Sequence, residues 1–595
     1  MGSVGVWGWH GENGEVDIEV TSGDDPSALG PGARDRGLAR LESEPLDILV
    51  IGGGVVGAGC ALDAASRGLR VGLVEQRDLA SGTSSRSSKL IHGGLRYLEQ
   101  FDFGLVAEAL RERGLMLSHL APHLVKPVSF LYPLQKRLIE RPYVGAGVAL
   151  YDVMASRGSN PLPRHRHLTR SGARRLAPSL AEHGLIGAVR YWDAQVDDAR
   201  HTAALARTAA RHGASIVTSA RVVDLLRDSS HVIGARVRDL ESGREFDVKA
   251  RRVVNATGVW TDEIQDHAGG SAVKVRASKG IHILVPRSRI DSATGLILRT
   301  PSSVLFVIPW GANWIIGTTD TDWELDMSHP AASRNDIEYV LDQVNRVLTE
   351  PLDTDDIVGV YAGLRPLLHG ESDATSKLSR EHAVAQPAPG LITVAGGKYT
   401  TYRVMAEDAI DLAVEGLDSV SGSVTADLAL VGADGWRALV NRRHELARSS
   451  GLDEETIDHL LSRHGYETLE VLDLVAADPD LGRPVHSGAP YLRAEVIRAC
   501  THEGALHLDD VLTRRTRLSI ETSHRGVDSA DDVAELMGRV LGWDDSTSKR
   551  ELEHYRARVE AEIESQTMLT DETADAARLG APDVRRGRRG PDSGL

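Results

Sequence analysis

Apolar positions follow two alternating rhythms from residue 46 to about residue 430, and a single helical one afterwards. LDILVI at 46–51 is a short, near-continuous apolar run, the pattern of a strand buried on both faces. It leads through glycines at 52–57 into the small-residue stretch GAGCALDAASRG, which reads as a closely packed helix, and then into the strand LRVGLVE at 69–75. Strands joined this way are parallel, with a right-handed crossover. GLVAEALRERGLMLSH at 104–119 has a mixed amphipathic period that predicts a helix, interrupted beyond its end by Pro122 and Pro127. A helix over 197–212 leads to the strand ASIVTSARVVDLL, and the turn ESG at 241–243 joins the extended pieces ending in RRVVNATG at 251–258. Between 274 and 324, IHILVP, VLFVIPW and NWIIGTTD read as strands of a sheet covering a ligand site, with GAN at 311–313 as a hairpin connection. LITVAGGKYTTYRVMAEDAIDLAV, from 391, passes from strand through a glycine turn to helix, so the first domain is discontinuous.

Beyond 430, DEETIDHLLSRH, YLRAEVIRACTHEG and SADDVAELMGRVLG carry helical spacing with cap signals. The expected organisation is a flexible extension over 1–44, a discontinuous nucleotide domain with an inserted substrate domain over 45–430, a helical domain over 431–570, and a flexible basic tail over 571–595. The fold class is α/β: a Rossmann-like domain interleaved with a mixed-sheet substrate domain, plus a C-terminal α-helical domain. A length of 595 residues agrees, since it exceeds what one hydrophobic core usually serves.

Charge and cysteine content narrow the function classes. A formal charge of -17 argues against a broad nucleic-acid surface, so any anion pocket must be locally built. Two cysteines, Cys60 and Cys500, exclude a dense disulfide framework. The first residues lack the pattern of a secretory signal, and no segment offers the roughly 20 apolar residues of a membrane span, which leaves peripheral contact with a membrane open.

The chemistry starts at Gly52-Gly53-Gly54-Val55-Val56-Gly57, a G-x-G-x-x-G pattern in its strand-to-helix context. Gly52 permits the turn, Gly54 leaves room for pyrophosphate, and Gly57 lets helix and strand approach. Amides at the helix start hold the pyrophosphate, and Glu75, ending the next strand, accepts from ribose hydroxyls. The motif does not separate NAD from FAD; the later glycine-bearing strand ends VVNATG and AGGKYTTY suit the larger FAD. In SSKLIHGGLRYLEQ at 87–100, His92, Arg96 and Tyr97 surround Gly93-Gly94. Histidine can take an alcohol proton near neutral pH, and arginine can grip phosphate through two hydrogen bonds. Arg365 and Lys398 add positive charge in further glycine-bearing turns. His282 reads equally as a proton carrier or a packed core histidine, and His502 with Glu503 as a site cover or a domain contact. Asp193, Asp197 and Asp198 read as capping or orienting groups, and no histidine–cysteine cluster supports a metal site.

The ordered pieces DILVIGGGVVGAG, SSRSSKLIHGGLRYLE, YWDAQVDDAR, VVNATGVW, FVIPW, IIGTTDTD, YAGLRPL and AGGKYTTYR, over about residues 46–530, resemble the FAD-dependent glycerol-3-phosphate dehydrogenase family. HEGALHLDDVLTRRTRL is similar to that family's helical domain. The resemblance implies oxidation of sn-glycerol 3-phosphate to dihydroxyacetone phosphate, FAD taking hydride from C2 and a respiratory quinone receiving the electrons. It also implies a cytoplasmic protein held peripherally on the inner face of the cell membrane. Carried onto this chain, His92 is the candidate base, Arg96 and Arg365 the phosphate ligands, Tyr97 an orienting group, Lys398 a polarising cation, and Thr319 and Asp320 part of the site mouth. Cofactor contact falls to Gly52, Gly54, Gly57, Glu75, Ser84, Ser88, Gly93, Gly94, Gly258, Gly396, Gly397 and Lys398. An oxidase that uses oxygen shares the reductive half-reaction, and a non-enzymatic flavin-binding assembly protein is the reading from another class. A homodimer is allowed without a readable interface.

Overall fold

The computed structural model describes residues 7–10, 16–19, 25–94, 102–135, 140–155, 162–270, 272–300, 304–369, 381–417 and 419–586. The helix Val55–Ser66 has no solvent face along most of its length, being buried from Gly57 to Ala65. Its small residues let the helices Asp198–Arg211 and Tyr402–Val414 pack against it, and a Cβ on Gly59 would crowd Tyr402 and Ala406, at 3.1 and 3.2 Å.

Under this layer lies a sheet in the order Ala220–Asp228, His231–Asp239, Glu245–Asn255, Leu46–Ile51, Val71–Val74, Ser215–Val217. Leu46–Ile51 is parallel to both neighbours, Val50 standing opposite Leu73 on one side and Val254 on the other. Leu391–Gly396 joins Glu245–Asn255 in parallel from a distant part of the chain, the discontinuity expected of this domain.

The inserted sheet is mainly antiparallel. Val275–Pro286 runs between Asn313–Gly317 and Gly359–Leu368, which sets His282 opposite Gly317 and Tyr361, and Ser278 opposite Arg365. The expected hairpin forms at Gly311, whose φ of +52 is the left-handed conformation such a tight turn uses. The C-terminal helices enclose their own core of Leu460, Val471, Val496, Val511 and Met537.

Two terminal expectations are corrected. Within 1–44, residues Pro31–Ser43 form a packed helix that buries Leu38 and Leu41. Its apolar period rests on few side chains; close approach does the rest, with Gly37 against Val217 and Gly30 against the Thr501 carbonyl. Arg34 completes the anchorage through Asp239 at 2.6 Å. At the other end, Asp571–Leu579 is a helix, and Arg578 and Arg585 are buried with Glu562 and Asp510 as partners. Ion pairing replaces the apolar pattern by which a packed tail is recognised. The last part of the arginine-rich stretch, 587–595, lies outside the described residues.

Candidate active site

The glycine turn is shaped by contacts that exclude side chains. Gly52 sits at φ +109, and a Cβ on Gly57 would lie 1.9 Å from the Gly52 carbonyl oxygen. Strand and helix thereby meet closely enough to aim the helix start at the cavity. The Ser84 hydroxyl accepts the Val55 amide at 2.9 Å, and Glu75 accepts from the Gly53 and Arg77 amides at 2.7 and 2.8 Å. Burial raises the Glu75 carboxyl above its usual range although both amides favour the carboxylate.

Gly52, Gly54, Glu75, Ser84, Gly258, Gly396 and Gly397 line one cavity of about 920 Å³ that also receives His92, Gly94, His282, Arg365 and Lys398. That volume is at the upper end of the usual range of small-molecule sites, about 300–1,000 Å³, and suits an extended dinucleotide together with a small substrate. The cradle fits FAD: a turn without side chains, a helix N-terminus and an acidic strand end lie along the same wall.

The inserted sheet supplies the polar end. Gly280 leaves room for Arg365, since a Cβ there would lie 2.4 Å from Nη2. Arg365 Nη2 donates to Thr318 Oγ1 at 3.0 Å and to the Thr319 carbonyl at 3.2 Å, while Nη1 stands 3.7 Å from Asp320 Oδ1. Asp320 in turn accepts the Ser278 hydroxyl. His282 Nε2 lies 2.8 Å from Ser88 Oγ, and its ring stacks on Tyr361 with centroids 4.7 Å apart. Its Nδ1 is buried with no hydrogen-bond partner among the described residues. Burial, then the charges of Arg365 and Lys89, hold its pKa well below the usual value, so the imidazole is neutral at physiological pH.

His92 is held through its backbone. Thr400 Oγ1 accepts the His92 amide at 3.3 Å and donates to the His92 carbonyl at 3.2 Å, tying the His-Gly-Gly loop to the turn that bears Lys398. Left-handed φ values of +76 and +72 at Gly396 and Gly397 bring that lysine to the cavity wall. On the other side of the loop, the Gly93 amide donates to Tyr151 Oη at 2.9 Å, and Tyr151 and Arg113 both donate to Asp193.

Most of the expected site residues therefore meet in one cavity, with differences of detail. Gly57 and Gly93 do not line it: Gly57 sets strand–helix approach, and Gly93 is enclosed by Leu110 and Tyr151. Thr318 rather than Thr319 faces the cavity, because Thr319 Oγ1 accepts the Ile281 amide in the sheet. Arg96 and Tyr97 lie outside the described residues. Glu503 pairs with Arg200 of the nucleotide domain and so makes a domain contact, whereas His502 lies near Glu470 inside the helical domain; neither lines the cavity. Asp197 caps the helix Asp198–Arg211, and Asp198 accepts from Lys89 and Ser87. The sequence reading missed Thr318, Gly280, Arg113 and Tyr151; the glycine beside His282 in KGIH was the one available signal for the space that Arg365 fills.

Comparisons with known proteins agree with this geometry. The family described as FAD dependent oxidoreductase matches residues 47–403, and the C-terminal domain of alpha-glycerophosphate oxidase matches residues 423–548. The chain is 57% identical over 561 residues to glycerol-3-phosphate dehydrogenase 2 of Mycobacterium tuberculosis, covering 94% of this chain and 96% of that one. It is 39% identical over 551 residues to the mitochondrial glycerol-3-phosphate dehydrogenase of Homo sapiens, covering 88% and 75%. The solved structure of the glycerol-3-phosphate dehydrogenase from Bacillus halodurans complexed with FAD superposes with a TM-score of 0.75 at 26% identity, over 89% of this chain and 98% of that one. A fold, a flavin cradle and a C-terminal domain that all match in one chain lead to a single conclusion: it is an FAD-dependent oxidoreductase and belongs to the glycerol-3-phosphate dehydrogenase family.

Proposed function

We propose that the protein oxidises sn-glycerol 3-phosphate at C2 to dihydroxyacetone phosphate and passes the electrons to a respiratory quinone. The observation that carries this reading is the cavity shared by the dinucleotide turn and a polar end bearing Arg365, Lys398 and two histidines. Bound FAD supplies the acceptor for the C2 hydride.

The chain's own residues do the rest. Arg365 grips the substrate phosphate, its guanidinium held in direction by Thr318 and Asp320. Arg96 and Tyr97 join it in the reading taken from the resemblance. His92 takes the proton of the C2 hydroxyl, and Lys398 stabilises the charge that develops on that oxygen. A second assignment is supported by one observation: His282 is buried and neutral and has a nitrogen without a partner among the described residues, as a base needs. Single-turnover reduction separates them, because the substitution that removes the base slows reduction at every substrate concentration, while the other leaves the limiting rate near that of the parent.

Exposed Phe103, Leu150 and Val153 support a peripheral contact with the membrane, and Phe103 and Leu150 also line the cavity, which favours electron delivery to a lipid-soluble acceptor. No helix among the described residues is long and apolar enough to cross a membrane. The test is anaerobic titration with both glycerol 3-phosphate enantiomers, followed by reoxidation with a quinone analogue or oxygen. Bleaching of the flavin by the sn-3 enantiomer and fast reoxidation by quinone are expected. No bleaching refutes the substrate assignment, and rapid peroxide formation with slow quinone reduction moves the protein to the oxidases.

A further inference from the structure

A second cavity, of about 60 Å³, lies where the C-terminal helices meet the strand Gly359–Leu368 and the loop after Ser85. Five arginines line it, Arg86, Arg517, Arg525, Arg558 and Arg578, against one carboxylate, Glu562. Charge accounting among the described residues leaves an excess. Arg517 is neutralised by Asp197 and Asp198; Arg558 pairs with Asp509 yet still lines the cavity, and Arg578 stands 3.4 Å from Glu562, so guanidinium groups outnumber carboxylates around it. Arg86 reaches only a neutral acceptor there, the Ser328 carbonyl at 3.4 Å. Arg525 likewise reaches the Val360 carbonyl at 3.4 Å and Gln566 Oε1 at 3.1 Å.

The surroundings register this surplus. Burial and then the charge of Arg578 hold Arg86 down to about 9, and the same two causes, in the same order, bring Arg558 to about 9. In the same wall, Ser519 Oγ and His329 Nδ1 are buried with no hydrogen-bond partner among the described residues. Buried polar atoms of this kind normally meet a water or an ion. The cavity has space for about four to six waters, taking about 10–15 Å³ as the room one water needs, which is the scale of a single tetrahedral oxyanion and too small for a nucleotide.

We propose that this inter-domain cavity binds a small oxyanion of the phosphate class, held by the guanidinium groups of Arg86, Arg525, Arg558 and Arg578 with the Ser519 hydroxyl donating. Guanidinium forks match tetrahedral oxyanions, and a bound anion supplies the charge that Glu562 alone does not. The site reaches the main cavity through one stretch of backbone. Arg86 lines both cavities, Ser87 hydrogen-bonds Asp198 at 2.7 Å, and Ser88 meets His282. Anion occupancy thus clamps the C-terminal helices onto the segment that orients the His282 imidazole, and stabilises the protein in proportion to ligand concentration.

The test is calorimetric titration of the FAD-loaded protein with inorganic phosphate. Two sites are expected in the parent and one in Arg365→Ala, since phosphate also enters the substrate end of the main cavity. Arg525→Gln, placed in the Arg365→Ala background, should weaken the remaining site on the order of tenfold. Glu562→Gln in that background should tighten it several-fold, an effect that a poorly folded protein cannot give. Sulfate should compete at the same site. If Arg365→Ala binds no phosphate, or if its affinity ignores both Arg525→Gln and Glu562→Gln, the assignment is overturned. Equal stoichiometry in the parent and Arg365→Ala would instead count against Arg365 as the substrate-phosphate ligand, leaving the second cavity to be judged on the other two substitutions.

Discussion

The Tyr151 hydroxyl donates to Asp193 Oδ1 at 2.6 Å and at the same time receives the Gly93 amide at 2.9 Å. One buried phenol therefore joins the helix Glu140–Ala155 to the loop that carries His92. Burial, then the negative charge of Asp193, keeps its pKa well above the ordinary value, so it stays protonated and keeps donating. Tyr151→Phe takes the 2.9 Å acceptor from the Gly93 amide, leaving only its longer 3.4 Å bond to Asp193, and takes one donor from Asp193, which keeps Arg113. A loss of about 1–3 kcal/mol in unfolding free energy is expected from denaturant titration. Flavin reduction should also slow while substrate affinity holds; an unchanged reduction rate would show that the loop does not depend on this bond.

Gly57→Ala places a methyl group where the Gly52 carbonyl stands. Since backbone cannot yield as a flexible side chain can, the helix start must move away from the strand. The purified variant is expected to lose its bound flavin, read from the flavin-to-protein absorbance ratio. Gly54→Ala, whose Cβ meets Ser84 Oγ at 3.2 Å in the protein itself, leaves the turn nearly undisturbed, so any flavin it loses reports the closeness of the pyrophosphate and not a displaced helix.

Arg365→Ala removes the one charged group of the described cavity that the inserted sheet aims with three separate contacts. The expected result is a rise in KM of about tenfold to a hundredfold, the worth of a charge-assisted hydrogen-bonded contact, with a smaller change in kcat. A fall confined to kcat would assign Arg365 to the chemical step instead.

His507 joins two domains and titrates within reach of experiment. Its Nε2 meets Glu241 at 2.9 Å and its Nδ1 meets Glu551 at 3.0 Å. Burial and Arg585 oppose its charge, but the hydrogen bonds to Glu241 and Glu551 outweigh them and carry the imidazole up to about 9. Because the folded value lies above the unfolded one, the stabilisation is fully present below about pH 6.5 and is lost as pH rises through about 9. Unfolding free energy should fall over that interval by up to about 3 kcal/mol, and His507→Gln should flatten the slope. An equal slope in both proteins would remove His507 as the cause.

Leu41 is fully buried in the N-terminal helix and faces Gly72 of the nucleotide-domain strand. Leu41→Ala is expected to cost about 2–5 kcal/mol, measured by thermal or denaturant unfolding. A change below about 0.5 kcal/mol would mean the helix adds little to the fold, as a loose extension would.

The sequence by itself determined the local elements and the chemistry they can carry. A short apolar run such as LDILVI, followed at once by glycines, suits a strand buried on both faces, so the nucleotide turn at Gly52, Gly54 and Gly57 was readable from pattern. The stretch around His92 and the turn before Lys398 were readable for the same reason, as glycine pairs beside groups able to move a proton or hold an anion. Tertiary structure decided what meets what. Arg365 reaches Thr318 because the strands Gly359–Leu368 and Asn313–Gly317 flank Val275–Pro286, and Ser88 reaches His282 from a loop far away in the chain, a placement that no local period encodes. The packed termini were hidden because they are held by close glycine contacts and by buried arginine–carboxylate pairs, while hydrophobic periodicity records only apolar burial. The arginine cavity is of the same kind: its charges come from a loop after the nucleotide turn and from the C-terminal helices, and only the docking of one domain on the other brings them together.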